Sequence, residues 1–122
     1  MSLRFPAVIR GNLTQDFKTL DGWTTPAKRG AIAHNPAYYD AESDQWITQP
    51  VIFFDLLVRG RASEHLPYGK GDAVVITGDL VVSARENDGK REQFYQIDVQ
   101  NITYDPRYYE ITATRRPKGG HE

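Results

Sequence analysis

The sequence contains no cysteine, and this absence excludes several kinds of protein at once. Without thiols there is no disulfide framework and no thiolate nucleophile or metal ligand. Long apolar runs are missing too, since no segment approaches the roughly eighteen apolar residues that a membrane span needs. The start of the chain, Met1 to Pro6, lacks the apolar stretch of an export signal. We therefore expect a cytoplasmic protein with no membrane partner.

Catalytic and cofactor-binding patterns are also absent. The three histidines, His34, His65 and His121, are far apart in the sequence and form no ligand-spaced pair. The turn at Lys70-Gly71-Asp72 lacks the Gly-x4-Gly-Lys-Ser/Thr pattern of a phosphate loop. We predict that the protein is not an enzyme and that it uses no metal and no cofactor.

The charge balance points to a neutral protein with local basic patches. The 122 residues are 39% hydrophobic and 25% charged, which is typical of one soluble globular domain. A net charge of −1 argues against nonspecific coating of nucleic acid by charge alone. A fold that brings basic clusters together can still build a positive groove. The clusters are Lys28-Arg29, Arg59-Gly60-Arg61, Lys90-Arg91 and Arg115 to Lys118.

Strand patterns dominate the chain. Alternating or β-branched runs predict five strands and one helix, with glycines Gly11 and Gly78 at corners. An Asp-Gly pair, Asp88-Gly89, predicts a tight hairpin. The strands fall over 7–13, 28–35, 51–59, 73–83 and 95–100, with a short helix over 61–66 and a last short strand over 108–114.

This order predicts an all-β domain. Five strands with a short helix between the third and fourth is the layout of the OB-fold, a Greek-key barrel. An SH3-like barrel or an incomplete sandwich remains open on pattern alone. We predict one domain over 5–105 and a C-terminal extension over 106–122, with an extra short strand and then a flexible end.

Aromatic rings are concentrated among charges between His34 and Arg59. The chain has two Trp, seven Tyr and five Phe residues, and five of these aromatic residues lie in this segment. Alternation in the third strand assigns one face to the core and leaves the other half polar. The core face is Ile52, Phe54, Leu56 and Val58, and the other is Phe53, Asp55, Leu57 and Arg59. Exposed rings beside cations suit single-stranded nucleic acid, because bases stack on rings and phosphates bind cations.

Each candidate has a structural alternative. Tyr38 and Tyr39 point to opposite sides of a strand, so we expect one of them to point inward and Tyr39 to be the ring offered to DNA. Trp46 either contacts DNA or clamps the base of its hairpin. Phe53 either stacks on a base or packs against a partner subunit, and the cations are either phosphate ligands or simply solvated.

Two glycine motifs resemble those of bacterial single-stranded DNA-binding proteins. The run Val8-Ile9-Arg10-Gly11-Asn12-Leu13-Thr14-Gln15-Asp16 is similar to the opening strand of that family, and Lys70-Gly71-Asp72-Ala73-Val74-Val75-Ile76-Thr77-Gly78-Asp79-Leu80 is similar to its fourth. Tyr39-Asp40 followed by Trp46, and the stretch from Ile102 to Arg116, resemble the actinobacterial branch. The likeness covers most of residues 5–116.

The resemblance implies an OB-fold homotetramer that binds single-stranded DNA in replication, recombination and repair, and is associated with the nucleoid. Tyr39 and Phe53 match the family's stacking rings. Arg59 and Arg85 fall where the family typically has aromatic residues, which implies a greater reliance on phosphate contacts. The family's acidic C-terminal tip is absent, and the sequence leaves open whether the chain was shortened or is naturally divergent. The predicted DNA-binding residues are Arg10, Lys28, Arg29, Tyr38, Tyr39, Trp46, Phe53, Arg59, Arg61, Arg85, Lys90 and Arg91.

Two other functions stay open at this point. The same barrel can serve as a protein-interaction module of a replication complex, with its outer aromatics in interfaces. An OB-fold that prefers RNA is not separable from sequence. The expected partners are therefore single-stranded DNA, further copies of the chain, and replication or repair proteins.

Overall fold

The computed structural model describes residues 3–115, which form eight strands and one helical turn. Within this range, no helix has the length and apolar character needed to cross a membrane. The elements are β1 (Leu3–Leu13), β2 (Lys18–Thr19), β3 (Ala27–His34), β4 (Ala37–Asp40), β5 (Gln45–Thr48), β6 (Ile52–Arg59), a 3₁₀ turn (Gly60–Glu64), β7 (Ala73–Asn87) and β8 (Lys90–Tyr104).

Five strands close into a ring. The order is β1-β7-β8-β6-β3, and β3 returns to β1 through pairs at Asn12–Ala33 and Leu13–Ile32. All neighbours in the ring are antiparallel except β6 and β8, which run parallel. This is the Greek-key order of the OB-fold, so the predicted barrel is confirmed. The short strand β2 adds to the edge of β3, and β4 and β5 form a separate hairpin.

Two glycines allow the barrel to close. A Cβ atom at Gly11 would collide with the carbonyl oxygen of Ala33, and one at Gly78 would collide with that of Asp98. The pairing of β7 with β8 shifts register between Thr77 and Gly78. A bulge of this kind bends a strand sharply, as a barrel corner requires. The predicted corner positions are therefore confirmed.

The β7–β8 hairpin turns on the predicted Asp-Gly pair. Asp88 and Gly89 both have positive φ, of 53° and 77°. Two positive φ angles in succession are typical of a type I′ turn, whose twist matches that of the flanking strands. The two strands remain paired up to Asn87 and Lys90, so the hairpin projects as a long arm.

The barrel interior is a single apolar core. Its members come from all five ring strands and are almost completely shielded from solvent: Leu13, Ile32, Phe54, Leu56, Val74, Ile76 and Ile97. Burial of a large apolar side chain of this kind stabilises the folded state by about 1.5–3 kcal/mol. This core holds the outer surfaces of the strands in place.

Two predicted elements are corrected. The helix predicted over 61–66 is a 3₁₀ turn over Gly60–Glu64, in which the Ser63 hydroxyl donates to the Gly60 carbonyl at 2.6 Å. Pro67 follows closely, so there is no room for a longer helix. The extra strand predicted over 108–114 is wrong, because residues 106–109 form a turn and 110–115 have no strand pairing. The end of the chain, 116–122, with His121, lies outside the described residues.

Candidate nucleic-acid interface

The solvent side of β3 and β6 carries an exposed ring on a floor of small side chains. Phe53 is directly opposite Ala33 in the β-ladder, and Asp55 is opposite Ala31. Because the side chain opposite Phe53 is only the methyl group of Ala33, the ring is not covered from that strand and is 64% exposed. We call this surface the outer face, formed by Ala31, Ala33, Phe53, Asp55 and Arg59.

The predicted division of β6 is wrong at two positions. Ile52 was expected in the core but is 40% exposed, since it lies at the start of β6, before the residues that pair with β8. Leu57 was expected on the half-polar face but is only 7% exposed, although the Asp55 side chain on the same face remains exposed. Phe54, Leu56 and Val58 are buried as predicted.

An ion pair lies in the middle of the outer face. The Arg29 guanidinium is 3.6 Å from the Asp55 carboxylate, and both side chains are well exposed. Exposed pairs contribute only about 0–1 kcal/mol to folding. Arg29 thus balances the charge of Asp55, the acidic group of the outer face, and the pair contributes little to folding.

Arg59 and Arg85, which stand at aromatic positions in the resemblance, are each paired with a ring. The guanidinium carbon of Arg59 is 5.7 Å from the ring centroid of Trp23. The same atom of Arg85 is 4.9 Å from the ring of Phe94. Both distances are within the range of a cation–π contact. Each position therefore combines a flat cation with a nearby aromatic surface.

The β4–β5 hairpin exposes three rings. Tyr39 and Trp46 are paired across the hairpin, with ring centroids 5.8 Å apart in an edge-to-face arrangement. The Tyr39 hydroxyl donates to the Asp44 carboxylate. Tyr38 lies on the opposite side of β4 and is 51% exposed, compared with 49% for Tyr39. The two are similarly exposed because the hairpin is not covered on the Tyr38 side. The expectation that one of the two tyrosines points inward is wrong.

The remaining predicted cations do not all converge. Arg10 is exposed on β1, on the same side as Asn12, while Lys28 is opposite the buried Val58 and so lies on the other side of β3 from Arg29. Arg61 belongs to the 3₁₀ turn. Lys90 and Arg91 are at the tip of the β7–β8 hairpin.

Sequence reasoning did not select three exposed side chains that the fold places near predicted ones. Trp23 follows the Asp21-Gly22 turn and reaches Arg59. Arg107 and Tyr108 follow β8 and share a cleft with Arg10 and Trp46. The turn signals around Trp23 and before Pro106 were available, but nothing local indicates which distant strands these turns approach.

Solved structures share this fold. A small single-stranded DNA-binding protein from Streptomyces coelicolor aligns with a TM-score of 0.69 and 24% identity, over 84% of this chain and 95% of that one. The second single-stranded DNA-binding protein of Mycobacterium smegmatis aligns with a TM-score of 0.64 and 15% identity, over 93% and 100%. The chain has the OB-fold of these actinobacterial proteins. No protein-family model and no curated protein matches the sequence.

The comparison confirms the predicted resemblance at the level of fold. Both neighbours are actinobacterial, as the motifs around Tyr39 and Trp46 indicated. Identities this low leave the individual binding residues to be argued from the geometry of this chain.

Proposed function

We propose that the protein binds single-stranded DNA without sequence preference, by stacking bases on exposed rings and holding phosphates with arginine. The observation that carries this proposal is the Phe53 ring, exposed above a floor of alanines on the outer face of an OB-fold barrel. Stacking tolerates every base, since each has a π-face, and contributes about 1–3 kcal/mol per base.

Phosphate contacts complete the proposed site. Arg59 lies beside the exposed ring of Trp23, and Arg85 lies beside the half-buried ring of Phe94. Arg29 is paired with Asp55 on the outer face, and Arg10 is exposed on β1. A guanidinium beside a ring presents both a charge for phosphate and a flat surface for a base. With the shape of the two structural neighbours, this supports a role in DNA replication, recombination and repair at the nucleoid, without catalysis.

The unpaired edge of β1 supports assembly into a homotetramer. Among the described strands, β1 pairs with β7 over residues 3–12 but with β3 only at Asn12 and Leu13. The open edge carries three exposed apolar side chains, Leu3, Phe5 and Val8. Exposed apolar strand edges commonly pair with another chain. Light scattering should give four times the 13.9 kDa chain mass; a monomer would contradict this part.

The deciding experiment is a titration with oligo(dT) at two salt concentrations, in which intrinsic protein fluorescence measures binding. We expect quenching at low salt and weaker binding at high salt, because released counterions oppose binding. Phe53→Ala should weaken binding by about 1–3 kcal/mol, and Phe53→Tyr, which keeps the ring, should bind nearly normally. Absence of quenching at low salt would overturn the proposal.

A protein-interaction role is the second candidate, favoured by the exposure of Tyr38 on the hairpin side away from Trp46. In that case Tyr38→Ala would abolish capture of a replication or repair protein and leave oligo(dT) binding unchanged. Competition of oligo(dT) with oligo(rU) separates a DNA preference from an RNA preference.

A further inference from the structure

A cleft of about 560 Å³ lies between β1, the β4–β5 hairpin and the turn that follows β8. We call it the terminal cleft. The side chains that could contact a ligand there are Arg10, Asn12, His34, Trp46, Arg107 and Tyr108. Its volume is within the range of about 300–1,000 Å³ that is typical of small-molecule sites.

The terminal cleft continues the outer face. Asn12 is paired with Ala33, and Ala33 with Phe53, so all three point to the same side of the barrel. Adjacent strands are about 4.8 Å apart, so Ala33, which lines the cleft, is one strand away from Phe53, and Asn12 is two strands or about 10 Å away. A strand that stacks on Phe53 can therefore reach the cleft without leaving the surface.

The turn after β8 is held rigidly. The Asp105 carboxylate is buried and accepts hydrogen bonds from the Arg107 guanidinium at 2.8 to 3.2 Å and from the Arg107 backbone N–H at 3.0 Å. The Asp105 N–H donates to the Ala73 carbonyl, and the Ala73 N–H donates to the Tyr109 hydroxyl. Tyr108 is therefore presented from a fixed backbone, and binding to it costs little ordering entropy.

The rings and the positive charge in the terminal cleft are complementary to the base and the phosphate of a nucleotide. Trp46 and Tyr108 are 72% and 68% exposed, the largest values among the large hydrophobic side chains of the described residues. The Arg107 guanidinium carbon is 5.2 Å from the Tyr108 ring centroid, and its charge is balanced by Asp105. Arg10 forms no ion pair with any described residue and interacts with the Asp105 carboxylate of the same cleft only at longer range, so its N–H groups can donate to a phosphate.

A second donor or acceptor lies beside Arg10. The His34 Nδ1 atom is 2.7 Å from the Arg10 carbonyl oxygen, so Nδ1 carries the proton and donates. This leaves Nε2 as the free ring nitrogen. With the proton on Nδ1, Nε2 is an acceptor and suits a donor group on a base edge.

We propose that the terminal cleft binds one nucleotide of the single strand, with its base against Trp46 and Tyr108 and its phosphate at Arg10. This rests on the proposed function, and it adds the turn after β8, which the sequence pattern assigned to a strand, to the DNA-binding surface. Tyr108 acts there as a stacking ring, and the Asp105–Arg107 pair acts as its positioning support.

The test uses the fact that the chain has two tryptophans, Trp23 and Trp46. In the variant Trp23→Phe, excited selectively at the tryptophan band, the emission comes from Trp46, so quenching by a short oligo(dT) reports on the terminal cleft. Adding Tyr108→Ala should weaken affinity by roughly 5- to 150-fold, the range that corresponds to one lost base stack. Tyr108→Phe should bind within about twofold of its parent, because stacking needs the ring and not the hydroxyl.

Controls separate this inference from the proposed function. Ile111→Ala removes an exposed apolar group of the same terminal segment outside the cleft and should bind normally. Tyr108 is largely exposed, so its variants should keep the thermal midpoint. If Phe53→Ala weakens oligo(dT) binding and Tyr108→Ala does not, the cleft proposal is overturned while the proposed DNA binding stands. If the unmodified protein does not bind oligo(dT) at low salt, measured by anisotropy of a labelled oligonucleotide, both fail.

Discussion

The outer face and the terminal cleft are built in different ways. On the outer face, Phe53 and Arg59 come from one strand, and their separation follows from the two-residue period of that strand. In the terminal cleft, Arg10, Trp46 and Tyr108 come from segments far apart in the chain. The first surface depends on local pattern, whereas the second exists only when the barrel has closed.

The largest expected effect separates the two sides of β6. Leu56 is completely buried in the core that supports both surfaces, so Leu56→Ala should lower the free energy of unfolding by about 2–5 kcal/mol. Phe53→Ala, three residues away on the exposed side, should change it by about 0.5 kcal/mol or less. Urea denaturation of both variants measures this contrast. Equal destabilisation would mean that Phe53 packs against an undescribed neighbour, such as another subunit.

Arg59 of the outer face and Arg85 of the β7–β8 hairpin should control the salt dependence. Each phosphate contact to single-stranded DNA contributes about 0.7 to the slope of log affinity against log salt. Arg59→Gln and Arg85→Gln should each reduce the slope by about this amount. Glutamine keeps hydrogen bonding without the charge, and Trp23→Phe, which keeps the ring beside Arg59, is a matched variant that should leave the slope unchanged. A slope insensitive to both arginines would remove them from the phosphate-binding set.

Asp105 should affect the terminal cleft and leave the outer face intact. Hydrogen bonds from Arg107 hold the pKa of the Asp105 carboxyl below its ordinary value of 3.8. Because the folded pKa is the lower one, this contribution to stability is complete above the ordinary value and is lost as the pH falls through the folded pKa. Asp105→Asn should therefore lower the thermal midpoint at pH 7. In acid, the midpoint of this variant should fall less steeply with pH than that of the parent.

Binding gives the second readout for the same variant. With Arg107 no longer held, Asp105→Asn should weaken the quenching of Trp46 in the Trp23→Phe background. Stacking at Phe53 should persist, so the further loss on adding Phe53→Ala should equal the loss in the parent. A loss of Phe53-dependent binding would show that the two surfaces are not independent.

The smallest expected effect concerns the ion pair on the outer face. Arg29→Gln should change the free energy of unfolding by less than about 1 kcal/mol, because the Arg29–Asp55 pair is exposed. It should nevertheless reduce oligo(dT) affinity, since it leaves the Asp55 carboxylate unbalanced beside the strand. The double variant Arg29→Gln with Asp55→Asn should regain part of that affinity. Failure to regain any would place the DNA away from this pair.

Much of the barrel was predictable because its signals are local. Alternation predicted the ring strands, steric need for glycine predicted the corners at Gly11 and Gly78, and Asp88-Gly89 predicted the hairpin. Prediction from sequence failed where contacts with distant parts of the chain decide the burial or the conformation of a residue. Ile52 is exposed because it precedes the part of β6 that pairs with β8, and Leu57 is buried where alternation predicted a half-polar face. The segment after Tyr104 turns where the Asp105 carboxylate accepts from Arg107 and the Asp105 N–H donates to Ala73.

The site was predictable only in part. Phe53 was identified because alternation forces its ring away from the buried Phe54 and Leu56. Trp23 was missed because its contact with Arg59 crosses from a loop to the end of a strand. The assignment of the predicted residues to DNA contacts stays a prediction.

By itself, the sequence determined the strand order, the corners and the presence of exposed rings among cations, because these follow from side-chain period, glycine sterics and composition. Only the tertiary structure decided which of those groups share a surface. It set Arg59 beside Trp23, Arg85 beside Phe94, and Arg10 in one cleft with Trp46 and Tyr108. Such contacts join residues distant in the chain, and their positions depend on how the barrel closes around its core.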